Sequence, residues 1–246
     1  IAIRKHSLGE QHPDYALSLN NIASCYSNMG NYNLAIEYIE EALSIFEKTL
    51  GTQHINTSTA LNNLADCYSD LGNYSKAIEL HSRAIAIKKA SLGEHHPDYA
   101  LSLNNIAICY LHLGNYNLAI EYTKEALSIF EETFRTQHIN TSTTLNNLAL
   151  CYYDLGDYNK AIELHSKAIA IRKHSLGEQH PDYAVSLNNI ASCYSALGNY
   201  NLAIKYQTEA LNITEETLGK EHPDYQLTLQ NISYCHLFNH NNAFSE

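Results

Sequence analysis

The chain has no tryptophan, one methionine and only four prolines in 246 residues. So few prolines leave room for long unbroken helices, because proline removes a backbone donor and clashes with the preceding turn. No apolar run approaches the ~20 residues that a membrane-spanning helix needs, and the first residues carry no secretory leader pattern. No membrane partner is therefore expected. Basic residues are scarce, with 15 Lys plus Arg against 26 Asp plus Glu and a formal net charge of −11. That balance argues against nucleic acid, whose recognition needs a basic face, and favours neutral or basic protein partners over acidic ones. The sequence also lacks a phosphate loop, a nucleophile elbow and a zinc-protease motif. No enzymatic activity, metal or cofactor is expected.

What the chain has instead is repetition. Cys25, Cys67, Cys109, Cys151, Cys193 and Cys235 follow one another at steps of 42 residues, as do Gly30, Gly72, Gly114, Gly156 and Gly198, and Ala23, Ala65, Ala107, Ala149 and Ala191. A period of this length is the mark of a solenoid, in which each unit packs only on its neighbours. Alternate repeats resemble each other most closely, so the copied unit spans 84 residues. The cysteines all fall at the same place in successive repeats. Stacked helices lie ~8–10 Å apart, too far for a disulfide, so free thiols in a helix seam and a cytoplasmic location are expected. Triplets such as Asn56-Thr57-Ser58 match the N-glycosylation pattern by chance on this reading. The opening residues IAIRKHS match Ile169–Ser175; the chain is expected to start within a helix of a preceding repeat, as a piece of a longer array.

One repeat reads as two helices, A and B. Pro13 suits a first helical turn and Asp14 complements the positive helix end. Leu19, Ile22, Ala23 and Tyr26 recur at helical spacing until Gly30 caps the run. Helix B starts near Tyr32, carries Ala35, Ile36, Ala42, Leu43, Ile45 and Phe46 on its apolar face, and ends at Leu50-Gly51. Even repeats begin with Ile55-Asn56-Thr57-Ser58 and Ile139-Asn140-Thr141-Ser142, where Asn and Thr are expected to cap the helix instead. On a helical wheel at ~100° per residue, Leu19, Ile22 and Tyr26 form the core side of helix A. Leu17, Asn20, Asn21, Ser24, Ser27 and Asn28 lie opposite, facing solvent or a ligand.

These residues resemble the tetratricopeptide repeat: Ala23 is its small residue in helix A, Tyr26 its aromatic, Gly30 its turn glycine, Ala35 and Ala42 its helix B alanines. The 42-residue step and the phrases LGEQHPDYALSLNNIA and GNYNLAIEYIEEAL are similar to the kinesin light chain subtype. The resemblance implies an all-α, right-handed α-α superhelix of about twelve antiparallel helices, with full repeats at 8–49, 50–91, 92–133, 134–175 and 176–217, the end of a helix B at 1–7 and a terminal half repeat at 218–246. It also implies a concave groove, lined by helices A, that binds an extended peptide.

The groove candidates are the paired asparagines Asn20 and Asn21, Asn62 and Asn63, Asn104 and Asn105, Asn146 and Asn147, and Asn188 and Asn189, together with Asp66, Ile108, Leu150 and Ser192. Asn is a poor mid-helix residue, and its amide both donates and accepts. A ladder of such amides can pair with the backbone of a bound strand, or it can tie neighbouring A helices together. Two columns vary along the array: Ser24, Asp66, Ile108, Leu150, Ser192, Tyr234, and Asn28, Asp70, His112, Asp154, Ala196, Phe238. Helices A contain no Lys or Arg, so acidic peptides, the ligands of kinesin light chains, are expected to bind weakly. Two further readings place the array as the sensor arm of a larger signalling ATPase or protease, or as a structural element of a large assembly.

Helix B carries alternating charge, Glu41, Arg83, Glu125, Lys167, Glu209 and Glu47, Lys89, Glu131, Lys173, Glu215, which predicts ion pairs between neighbouring B helices. The histidines at 12, 54, 96, 138, 180 and 222 each precede a helix A and form no ligand cluster, so a structural role is expected. His-Pro-Asp at 12–14 matches the J-domain tripeptide in letters alone, since helix initiation explains it. After Cys235 the repeat pattern fails, and Tyr234, Leu237 and Phe238 leave the last helix with an apolar exposed face.

Overall fold

The computed structural model describes residues 2–134 and 138–243; Ile1 and the last three residues lie outside them. The described residues form twelve α-helices and no strand: α1 (Ala2–Leu8), α2 (Pro13–Asn28), α3 (Tyr32–Thr49), α4 (Ile55–Asp70), α5 (Tyr74–Leu92), α6 (Pro97–His112), α7 (Tyr116–Phe134), α8 (Ile139–Asp154), α9 (Tyr158–Leu176), α10 (Pro181–Ala196), α11 (Tyr200–Leu218) and α12 (Pro223–Ala243). Even-numbered helices are the A helices and odd-numbered ones the B helices. The chain divides into two compact units, Ile1–Ile129 and Phe130–Glu246, with the division inside α7.

In the first unit α2 pairs with α3 and α4 with α5, while α3 and α5 each pack on the next A helix. Tyr110 of α6 stacks on Tyr122 of α7 at 5.6 Å. Its core runs through Ala16, Leu19, Ala23, Ile39, Phe46, Leu61, Ala65 and Leu80. The alanines are fully buried because only a small side chain lets two helix backbones approach this closely. In the second unit α8 pairs with α9, α10 with α11, and α12 packs on α11. Where the Leu-Gly-Asn-Tyr turn is lost, α12 runs on to Ala243. At the other turns a glycine such as Gly72, at φ 77°, takes the left-handed conformation that other residues avoid.

Every A helix starts by one device. The residue before it is a histidine whose Nδ1 accepts the backbone N–H two residues on: His12 from Asp14, His54 from Asn56, His96 from Asp98, His138 from Asn140, His180 from Asp182 and His222 from Asp224, at 3.1–3.2 Å. The even repeats therefore do not use Asn or Thr as the cap. Thr57 lies inside α4, and its hydroxyl donates to Gly51 O at 2.9 Å. His96→Ala should cost about 1 kcal/mol, the usual worth of an N-cap, while His96→Asn should keep most of it. Equal denaturation midpoints for wild type and His96→Ala would refute this.

The seams between a B helix and the next A helix are of two kinds. In the first unit Lys88 is buried, and its Nζ donates to Asp98 O at 3.1 Å and Ser102 Oγ at 2.8 Å. Arg4 makes the same pair of contacts with Asp14 O and Ser18 Oγ, both at 2.9 Å. Between them in the repeat, Phe46 fills the equivalent place and is 1% exposed. In the second unit buried Arg172 donates to Asp182 O at 2.8 Å and Ser186 Oγ at 2.7 Å, while Phe130 and Thr214 hold the other places. Burial pulls the pKa of both Lys88 and Arg172 below the ordinary values, as expected for cations removed from water. The alternation of cation and phenyl is the 84-residue copy expressed as packing.

The alternating charges on helix B mostly find other partners. Arg83 of α5 does reach Glu47 of α3 at 2.9 Å. Lys89 instead pairs with Glu94 at 2.7 Å, Lys173 with Glu178, and Lys220 with Glu215 at 3.0 Å. These partners lie five residues away in the chain, so less side-chain and backbone freedom is lost in making the pair. Glu41, Glu125 and Glu209 accept the hydroxyls of Tyr15, Tyr99 and Tyr183 at 2.9–3.3 Å.

Candidate functional site

Within each unit the A helices leave a face open. On α2, Leu17, Asn21, Ser24 and Asn28 are exposed, and on α6 and α10 Leu101 and Val185 are. The asparagine pairs do not lie side by side on that face. Asn20, Asn62, Asn104 and Asn146 retain only 5–8% of their surface and are sealed between helices. In the first unit Asn63 Nδ2 donates to Asn20 Oδ1 at 3.1 Å, and Asn62 Nδ2 to Ser102 Oγ at 2.6 Å. Asn105 Nδ2 donates to Asp66 Oδ1 at 3.2 Å. In the second unit Asn189 donates to Asn146 Oδ1 at 2.9 Å and Asn188 to Thr228 Oγ1 at 2.8 Å. Asn147 is buried as well. Much of the amide ladder thus ties A helices to each other. An A helix in a stack touches its own B helix and an A helix on either flank, so a wheel with a single buried side places the flank residue Asn20 wrongly. Asn21 is exposed, and Asn63, Asn105, Asn188, Asn189, Asp66, Ile108, Leu150 and Ser192 are half-buried.

Shallow hollows open at the A–A seams. In the first unit one of 150 Å³ lies between α2 and α4, walled by Ser24, Asn28, Asn63 and Asp66 and floored by Ile39 of α3. The next, of 290 Å³, lies between α4 and α6, walled by Asp66, Ser69, Asp70, Asn105 and Ile108 and floored by His81 of α5. In the second unit a hollow of 340 Å³ has Tyr153, Ser192, Asn231 and Tyr234 around Gln207 of α11. The walls include the columns that vary along the sequence. The floors were not foreseen. Their signal is a helix B column that is apolar in its first copy and polar in the next four: Ile39, His81, Thr123, His165, Gln207. A larger hollow of 430 Å³ around Leu145, Lys167 and Ile171 is lined mainly by B-helix residues.

The electrostatics of the α4–α6 hollow are distinctive. Burial first, and the neighbouring Asp70 second, push the Asp66 carboxyl up to about 6. Asp70 is raised by burial too. His81 is brought down to about 4 by burial and by Lys88, and His165 likewise by burial and Arg172. Burial pushes the Cys151 thiol up to about 12 and Cys193 up to about 11, the reverse of what a nucleophile needs. All six cysteines are free thiols. Cys109 and Cys235 lean on serines of the preceding A helix, Ser69 and Ser195, at 3.6 and 3.5 Å. Among the described residues no group of three or more His, Cys, Asp or Glu is placed to hold a metal ion, and no helix is long and apolar enough to cross a membrane.

Against solved structures the chain aligns with TPR-like repeats from Podosopora anserina, named for a kinesin light chain, at 27% identity and TM-score 0.69, covering 84% of this chain and 98% of that one. BtubC (BKLC) from P. vanneervenii aligns at 25% identity and TM-score 0.73, covering 90% and 87%. The tetratricopeptide sensor of a STAND signal-transduction ATPase from Pyrococcus horikoshii shares the fold at 20% identity and TM-score 0.70, over 92% of this chain and 34% of that one. No curated protein sequence matches the chain. The tetratricopeptide repeat profile matches residues 14–90, 71–132, 98–174, 140–216 and 183–243, and with the paired helices, the buried alanines and the turn glycines this establishes that the chain belongs to the tetratricopeptide repeat family.

Proposed function

We propose that the chain is a non-enzymatic scaffold that holds an extended peptide or protein segment against the open face of its A helices. Arrays of this repeat are protein-interaction scaffolds. The observation that carries the reading to this face is the hollow at the A–A seams, whose walls change from repeat to repeat while the helical framework does not. Ile108 in the first unit and Ser192 in the second are half-buried wall positions that a guest would cover, and Leu150 in the second is a half-buried member of the same sequence column. Asn21, Asn63, Asn105 and Asn189 keep carbonyl or amide atoms for a guest backbone. With no Lys or Arg on any A helix, neutral or basic segments are the favoured guests, in the cytoplasm.

Peptides recovered from a random dodecamer library and measured by calorimetry test this. Ile108→Arg or Leu150→Arg should weaken binding about tenfold or more, the scale of a central contact, with unchanged helicity. Tight binders that ignore both substitutions would move the site off the A-helix face. A strong preference for acidic peptides would overturn the assignment of partner charge.

A further inference from the structure

The α4–α6 hollow in the first unit contains a hydrogen-bond chain that runs from Lys88 to His81. Lys88 Nζ donates to Ser102 Oγ at 2.8 Å, whose own hydrogen points to Asp98 O, at 3.4 Å. Asn62 presents its NH2 to Ser102 and its Oδ1 to His81 Nδ1, at 2.6 and 3.1 Å. His81 Nδ1 must then carry the ring hydrogen. That leaves Nε2 as a bare lone pair on a side chain 1% exposed. Nε2 has no hydrogen-bond partner among the described residues. It lies 3.5 Å from Asp66 Oδ1, which is itself an acceptor. Two acceptors face each other with no donor between them, which is costly out of water. Asp66 keeps 48% of its side chain exposed, so the hollow is open to a guest.

We infer that this hollow binds the basic side chain, Lys or Arg, of a guest segment, whose N–H groups bridge Asp66 and His81 Nε2. This rests on the A-helix face being the binding face and names the chemistry of one position on it. Asp70, on the same wall, adds a second negative charge. The copy of this seam in the second unit is an internal control: Asp154 and His165 stand where Asp70 and His81 do, but Leu150 replaces Asp66. That seam keeps the histidine floor and lacks the carboxylate, so it is not assigned a cation.

The same geometry makes the site compete with protons. The groups facing Asp66 are Asp70 and Cys67 on its own helix, His81 and Lys88 from α5, and Asn105 and Cys109 from α6. The neighbouring α2 contributes Ser24, Ser27 and Asn28, none of which titrates. His81, down to about 4, and the thiols, pushed up, keep their charge state between pH 7.5 and pH 5, leaving the carboxyls as the groups that change: Asp66, at about 6, and Asp70 beside it, raised in the same direction by burial. A guest cation favours the carboxylate and a proton removes it. The raised pKa also means that ionised Asp66 costs the folded state stability: the cost is absent below the unfolded carboxylate value and grows as pH rises toward and through about 6. Asp66→Leu should therefore melt no lower than wild type at pH 7.5.

The test titrates the chain with acetyl-lysine methylamide, its norleucine counterpart and its glutamate counterpart. The His81 ring nitrogens, assigned with His81→Gln, are followed by NMR. The lysine compound should shift Nε2 saturably, norleucine and glutamate should not, and Asp66→Leu should abolish the response. Affinity should fall about tenfold between pH 7.5 and pH 5, because a carboxylate titrating near 6 is then about one-tenth ionised. No response to lysine (a bound water alone between the acceptors) or equal shifts from lysine and norleucine would overturn the proposal. So would an unchanged response in Asp66→Leu. The A-helix face fails separately, when library peptides ignore Ile108→Arg and Leu150→Arg.

Discussion

Replacing Phe46 with lysine should unfold much of the first unit, although lysine occupies the same place one repeat later. Phe46 is 1% exposed and shares a cluster with Ala60 and Leu61. Lys88 survives burial because Ser102 and Asp98 O receive its ammonium. The residue aligned with Ser102 at the Phe46 seam is Ala60, which has no hydroxyl. A lysine there would lose the phenyl contacts and strand a charge. Truncating a buried Phe alone costs about 3–5 kcal/mol, and an unpaired buried cation adds to that. Phe46→Leu, which keeps the seam apolar, should cost about 1.5 kcal/mol or less. Urea denaturation followed by circular dichroism measures both. A Phe46→Lys protein within 1 kcal/mol of wild type would show that seam chemistry does not discriminate.

The second large effect is expected at Asn62. Its two amide atoms bond Ser102 and His81, so Asn62→Ala leaves the buried His81 ring N–H without a partner, while Ser102 keeps Lys88 and Asp98 O. A buried group left unsatisfied costs about 1–3 kcal/mol, and a loss of that size is expected. Asn21→Ala, on the exposed face, should stay within about 0.5 kcal/mol. The two residues occupy adjacent places in successive copies of one motif, so the contrast separates asparagines that hold the stack from those left for a guest. Similar losses for both, or for neither, would erase that distinction.

Much of the architecture was readable from spacing alone. Pro13 and Pro97 mark A-helix starts, Gly30 and Gly72 mark turns, and the buried alanines mark the closest helix contacts. Local signals of this kind act within a few residues of where they are written. The site was less legible because it is built across repeats. Whether Asn20 faces a guest or Asn63 depends on a helix some forty residues away. His81 was hidden for another reason. The eye is drawn to the histidines at 12, 54, 96, 138, 180 and 222, which turn out to be helix caps. A histidine at a core position of helix B reads as an irregularity until the hollow above it is seen. The B-helix charges misled because sign alternation says nothing about reach, and nearby loop glutamates claim the lysines first.

The two kinds of seam set a parity on how such a chain can grow or shrink. Deleting one hairpin by slippage between near-identical gene segments would join a phenyl-bearing helix end to a serine that awaits a cation, or the reverse. Deleting two restores a compatible join. Viable length variants should therefore differ by even numbers of hairpins, and the coding sequence should carry its repeat-number polymorphism in blocks of two.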